Sequence, residues 1–178
     1  LYTVTASDVD VGDNVALSAT IPSSSSWLTF EPSTGKLTGT PANGDVGTHS
    51  ITVTATDDAG DTGSQTFTIT VANTNDAPTI SSTAVIAVDE DSLYTYTVTG
   101  DDVDANDGMT LSVTSTLPTW LSFDANTGVL SGTPLNAHVG TQDVTVQAED
   151  TAGATGTQTF TITICLLYTS DAADEHGC

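Results

Sequence analysis

The chain has 178 residues, with Lys36 as its one Lys or Arg against 23 Asp and Glu, giving a formal charge of -22 at pH 7 and a pI near 4.1. A single fixed positive charge cannot neutralise a run of phosphates, so nucleic acids and anionic membrane surfaces are excluded as partners and cations are favoured. Hydrophobic content of 37% and a mean hydropathy of +0.01 are enough to bury a core, so the acidity does not mean disorder.

Four of the acids are Glu (Glu31, Glu90, Glu149, Glu175) and the rest are Asp, a turn former and a common oxygen ligand. Thr, Gly, Ser and Val abound, while the usual helix builders are scarce, which argues against a helical protein. No apolar run reaches the ~18 residues of a membrane span, and the N-terminus has no charged region followed by an apolar signal core. Direct membrane insertion is not expected.

In chain order, the first segment is YTVTASDVD, residues 2–10, followed by Asp13 in VGDN. WLTFEPSTGKLTGTP starts at Trp27, HSITVTATDDAG at His49 and SQTFTITV at Ser64. Apolar and polar residues alternate in them, as at Ile51, Val53, Ala55 and at Phe67, Ile69, Val71, the pattern of half-buried strands. Turn signals such as Ser33-Thr34-Gly35 and Asp57-Asp58-Ala59-Gly60 separate them.

The set then recurs. YTVTGDDVD, residues 96–104, matches the opening segment, and WLSFDANTGVLSGTP, QDVTVQAEDTAG and TQTFTITI follow from Trp120, Gln142 and Thr157. The chain is two copies of one module, residues 1–75 and 76–164. Only the second copy carries APTISSTAVIAVDEDSL, residues 77–93, ahead of its YTVT segment. The first copy is therefore expected to lack its opening strand, to be the weaker domain, and to begin inside a longer array. The whole predicts an all-β protein of two tandem Greek-key antiparallel β-sandwiches with no helix.

Trp27 and Trp120 share a Trp-Leu-x-Phe context that suits the space between two sheets; stacking on a sugar ring is the competing use. After Ile164 the repeat pattern stops, and residues 165–178 resemble a translated transposase adaptor of the kind used to prepare sequencing libraries. That tail is expected to be non-native and disordered. It holds both cysteines, Cys165 and Cys178, so disulfides and thiol chemistry are not expected in the repeats.

Carboxylates gather at matching places: Asp8, Asp10 and Asp13 in the first copy; Asp101, Asp102, Asp104 and Asp107 in the second; then Asp57-Asp58 and Glu149-Asp150. Asp-x-Asp on an extended loop sets two carboxylates on one side, and Ca²⁺ takes six to eight such oxygens. An EF-hand is ruled out, because counting from Asp102 its Gly position holds Asp107 and its closing Glu position holds Val113. Asp residues that only end turns and solvate the surface are the competing reading. His49 and His138 are not equivalent and are expected at the surface; no His-x-x-x-His, Gly-x-Ser-x-Gly or phosphate loop occurs, so no enzyme is expected.

YTVTASDVD, WLTFEPSTGKLTGTP, VGTHSITVTATDDAG and NTNDAPTI, with their counterparts, resemble the cadherin-like repeats of the dystroglycan type and the immunoglobulin-like repeats of bacterial surface and secreted proteins. The resemblance implies Ca²⁺ at the junction of successive modules, with Asn75 and Asp76 (and Asn73 beside them) from the linker and Asp102, Asp104 and Asp150 from the second module. It implies an equivalent site in the first repeat at Asp8, Asp10 and Asp57, and assigns Glu90 to the next junction. The Leu-Asp-Arg-Glu segment of cadherins is replaced here by Gly39-Thr40-Pro41 and Val46-Gly47, so binding is expected at about 10⁻⁴ to 10⁻³ M or weaker. The expected role is a calcium-stiffened extracellular spacer in a cell-surface protein or adhesin, with adjacent repeats and a surface protein or glycan as partners. The alternatives are an accessory carbohydrate-binding module of a secreted polysaccharide-degrading enzyme and a metal-free spacer.

Overall fold

The computed structural model describes residues 2–9, 12, 14–104 and 107–167. It divides into two compact units, Leu1–Thr74 and Asn75–Cys178. Among the described residues no helix is long and apolar enough to cross a membrane.

Among its described residues the first unit contains six strands: β1 (Tyr2–Thr3), β2 (Ala16–Thr20), β3 (Leu28–Glu31), β4 (Lys36–Gly39), β5 (Gly47–Thr56) and β6 (Thr62–Val71). They form two antiparallel sheets, ordered β1-β4-β3 and β2-β5-β6. The alternation read in the sequence now acquires faces. Ile51 and Val53 of β5 point inward with Leu28 and Leu37, and Val4, Trp27, Phe30, Phe67 and Ile69 pack around them. Outward-facing threonines form cross-strand pairs, as where Thr52 Oγ1 and Thr66 Oγ1 lie 2.8 Å apart.

The second unit adds β7 (Thr79–Ile80) and β8 (Ala87–Asp89) ahead of β9 (Tyr94–Thr97), β10 (Gly100–Asp101), β11 (Met109–Val113), β12 (Leu121–Asp124), β13 (Val129–Gly132), β14 (Gly140–Asp150) and β15 (Thr155–Cys165). Its sheets run β11-β14-β15-β8, β12-β13-β9 and β10-β7. Its core is larger: Tyr94, Tyr96, Val98, Leu121, Leu130, Val144, Val146, Phe160, Ile162 and Ile164 are all buried.

The all-β architecture agrees with the alternating pattern, with three differences. One-turn 3₁₀ segments occur at Ser23–Ser25, Asn43–Asp45 and Asn136–His138, too short for any periodicity to mark. One pairing is parallel, with Thr163, Ile164 and Cys165 of β15 opposite Ala87, Val88 and Asp89 of β8. Parallel partners need a long connection, and these two strands stand at opposite ends of the repeat. Third, β15 continues one residue beyond Ile164, and Cys165 is buried against β8, so the expected disorder of the tail does not begin at residue 165. The rest of that expectation, from residue 168, lies outside the described residues.

Candidate metal centre

The acids of the second unit converge because β14 ends where the loop between β10 and β11 passes it. Met109 and Thr110 of β11 pair with Asp150 and Glu149. This register sets the 102–107 loop beside the end of β14, and the carboxylate oxygens of Asp102, Asp107 and Asp150 lie within 4.8 Å of one another. The sequence sets Asp107 among the carboxylates of the loop without assigning it to a site; the bond from its amide to the Asp104 carbonyl at 3.3 Å, which spacing does not reveal, brings it in.

Hydrogen bonds fix the surrounding groups. Asn75 Nδ2 donates to Asp150 Oδ2 at 2.8 Å, and the Asp76 amide donates to Asp104 Oδ2 at 2.7 Å. Asp104 N–H donates to Asp102 Oδ1 at 2.8 Å, and Ala154 N–H to Asp150 Oδ1 at 2.8 Å. The Thr151 hydroxyl donates to Asp107 Oδ1. Thus Asn75, Asp76, Asp102, Asp104 and Asp150, expected together, form one network within the second unit. Asp76 contributes its main-chain N–H to it.

The electrostatics are unbalanced. Asp104 and Asp150 are buried, Asp102 and Asp107 half-buried, and the chain's one Lys, Lys36, belongs to the other unit. The Asn75 amide, more than any other group, holds the Asp150 carboxyl below the usual carboxylate range; burial opposes this, and the Ala154, Ala152 and Gly153 amides reinforce it. Two buried oxygens, Asp102 Oδ2 and Asp104 Oδ1, find no hydrogen-bond partner among the described residues. Buried carboxylate oxygens are normally paired, and a set of hard oxygens with unpaired buried members fits a hard divalent cation.

The expected equivalent in the first unit is looser. Asp8 and Asp57 line a cleft of about 290 Å³ with Asp61. Asp57 repeats the turn made by Asp150, its Oδ1 accepting from the Asp61 amide at 2.8 Å. Asp10 and Asp13 lie outside the described residues. Glu90 stands apart from the cluster beside the end of β15: it is 5% exposed, Oε1 accepts from the Leu167 amide at 3.1 Å, and Oε2 is buried with no partner among the described residues. Asn73 is exposed.

His49 is not a surface residue. It is 7% exposed; its Nε2–H donates to the Asp45 carbonyl at 2.7 Å, which leaves Nδ1 to accept from the Ser25 hydroxyl at 2.8 Å. Ser25 is fully buried, so the pair braces two 3₁₀ turns and offers no open nucleophile. Trp27 and Trp120 are half-buried against their cores, and the Trp120 ring meets Tyr94 edge-on at 6.1 Å.

A family model described as "Putative Ig domain" matches residues 1–72 and again 77–165. Among curated proteins, the chain is 29% identical over 155 residues to the serine-rich adhesin for platelets of Staphylococcus aureus strain MRSA252, covering 85% of this chain and 11% of that one. It matches the same protein of strain MW2 at 29% identity, over 6% of its length. The chain thus spans a small part of the curated relatives it matches. Among solved structures, Drosophila N-cadherin EC1-4 aligns with a TM-score of 0.57 at 19% identity, over 84% of this chain and 41% of that one. Human protocadherin-24 EC1-2 aligns with a TM-score of 0.57 at 16% identity, over 92% and 87%. The cadherin alignments agree with the β-sandwich fold, and with both repeats matched by one family model the chain belongs to the Putative Ig domain family.

Proposed function

We propose that this chain is a non-catalytic pair of extracellular repeats from a large cell-surface adhesin, and that its second repeat binds Ca²⁺. The observation that carries the metal reading is the convergence of Asp102, Asp107 and Asp150 with the unpaired buried oxygens of Asp102 and Asp104. Bound Ca²⁺ would supply positive charge to a group of carboxylates that otherwise repel one another. Asn75 orients Asp150, the Asp76 amide orients Asp104, and the Asp104 amide orients Asp102, so much of the ordering is already done before an ion arrives. Similarity to a staphylococcal surface adhesin supports the location and the adhesive setting. Adjacent repeats of the parent chain, and a surface protein or glycan reached through it, are the partners this reading assigns.

Calorimetric titration of the chain with Ca²⁺ should give a dissociation constant of about 10⁻⁴ to 10⁻³ M. Ca²⁺ should also raise the melting temperature of the second repeat relative to chelator; a flat titration with unchanged melting would overturn the metal reading. The spacer role adds that the linker stiffens on binding. Small-angle scattering with Ca²⁺ and with chelator should differ, and identical profiles from a chain that titrates normally would remove stiffening while leaving the site.

A further inference from the structure

The loop that carries the clustered acids stands on a thioether. Met109 is the chain's one methionine. It opens β11 just after Asp107 and Gly108, and its main chain pairs with Asp150. Its side chain reaches the other arm of the same loop: a methyl on Gly100 would come within 2.8 Å of Met109 Sδ and 3.0 Å of Cε. Gly100 lies in β10, which pairs with β7 and leads into Asp102. One side chain therefore belongs to the strand that ends the loop and touches the strand that starts it.

The fit of sulfur over glycine is close. The Thr79 carbonyl oxygen stands 2.8 Å from the same methyl position, so the thioether and a hydrogen-bond acceptor close the space over Gly100 together. An unbranched, soft side chain suits such a gap. In the first copy the two positions hold Ala6 and Val15, so volume gained at one is given up at the other, and the sulfur is gone. Met109 is half-buried, so water and small solutes meet part of it.

The acids depend on this base. Asp104 N–H donates to Asp102 Oδ1, the Asp107 amide to the Asp104 carbonyl, and the Asp76 amide to Asp104 Oδ2. These bonds hold their geometry only while β10 and β11 keep their spacing, and Met109 fills that spacing.

We propose that Met109 is an oxidation site that controls the order of the acidic loop. The oxidant is a hydroperoxide, in the simplest case hydrogen peroxide. The thioether lone pair attacks one peroxide oxygen, an S–O bond forms, the O–O bond breaks and the other oxygen leaves as water; the sulfur gives up the two electrons that the peroxide gains. The sulfoxide is polar and carries an acceptor oxygen. Over Gly100 it meets the Thr79 carbonyl, a second acceptor, so it withdraws from β10 and the base of the loop opens. The carboxylates then lose their preset arrangement and take up Ca²⁺ less well. That last consequence rests on the metal reading; the loosening of the loop does not. Reduction of the sulfoxide restores the thioether and with it the loop.

The test compares the full chain, untreated, with the chain treated with hydrogen peroxide until peptide mapping shows Met109 as the sulfoxide. In chelator, amide exchange at Asp104 and Asp107 should be about tenfold faster in the sulfoxide form. Calorimetry should give a Ca²⁺ affinity about tenfold weaker, the scale on which support of a metal site is felt. Methionine sulfoxide reductase should restore both. Met109→Leu keeps an apolar side chain of similar volume without sulfur, and the same treatment should move neither reading. Met109→Gln, polar at similar length, should speed exchange without peroxide. Equal exchange in the two forms, unchanged affinity in a chain that titrates normally, or a Met109→Leu chain that responds as fully would each overturn the proposal. So would a Met109 that stays a thioether at peroxide concentrations that oxidise free methionine. Untreated chain that gives no calcium heat, with exchange that speeds on oxidation, would remove the metal reading and support the loosening.

Discussion

At the residue scale the acids divide by what holds them. Asp102 has one oxygen bonded and one buried and unpaired, so Asp102→Asn should lower Ca²⁺ affinity at least tenfold by calorimetry with little effect on the apo fold. Asp76→Ala should cost less, because the bond to Asp104 comes from the main chain and survives the substitution. Asp124 differs: the Asn126 amide, then the Thr127 hydroxyl, hold its carboxyl below the usual range, closing the turn between β12 and β13. A depressed carboxyl contributes stability above its unfolded pKa, near 3.9, and loses it as pH falls through the folded value. Asp124→Ala should therefore lower the second unit's melting temperature at pH 7, and the gap should close below about pH 4. Sequence pattern pointed to Asp102, Asp104 and Asp150 because Asp-x-Asp and acids ahead of Ala-Gly recur, and it did not single out Asp124. It missed the inclusion of Asp107, and it misplaced His49, because both depend on where distant turns meet.

At the element scale the outcome turns on what the opening strands cover. Gly156→Ala should destabilise the second unit by about 2 kcal/mol or more, since the new methyl meets the Pro78 backbone, while Gly63→Ala in the first should be neutral or slightly favourable. Denaturation followed in both units should show two transitions, the first unit yielding earlier. Burying one large apolar side chain contributes roughly 1.5 to 3 kcal/mol, and the first unit leaves Tyr2, Phe67, Ile69 and Val71 incompletely covered. A single cooperative transition would count against this. Alternation of apolar residues made the long strands legible, since period two survives in any sheet. The parallel β8–β15 pair was not legible, because Ala87–Asp89 is too short to carry a period and its partner lies at the far end of the repeat.

At the scale of the whole molecule, the recurrence of one segment set made a two-copy plan readable, and the chain divides into two compact units, Leu1–Thr74 and Asn75–Cys178. The acidic composition sets the expectation of cationic rather than phosphate partners, and the Ca²⁺ proposed for the second unit is in keeping with it. The parallel pairing has a mechanical consequence. Strands β8 and β15 come from opposite ends of the second repeat and point the same way, so tension applied to the repeat's termini slides one along the other and loads their hydrogen bonds together. Pulled from its two ends, the second repeat should hold until this clamp shears and then yield in one step, an event that single-molecule pulling can read directly.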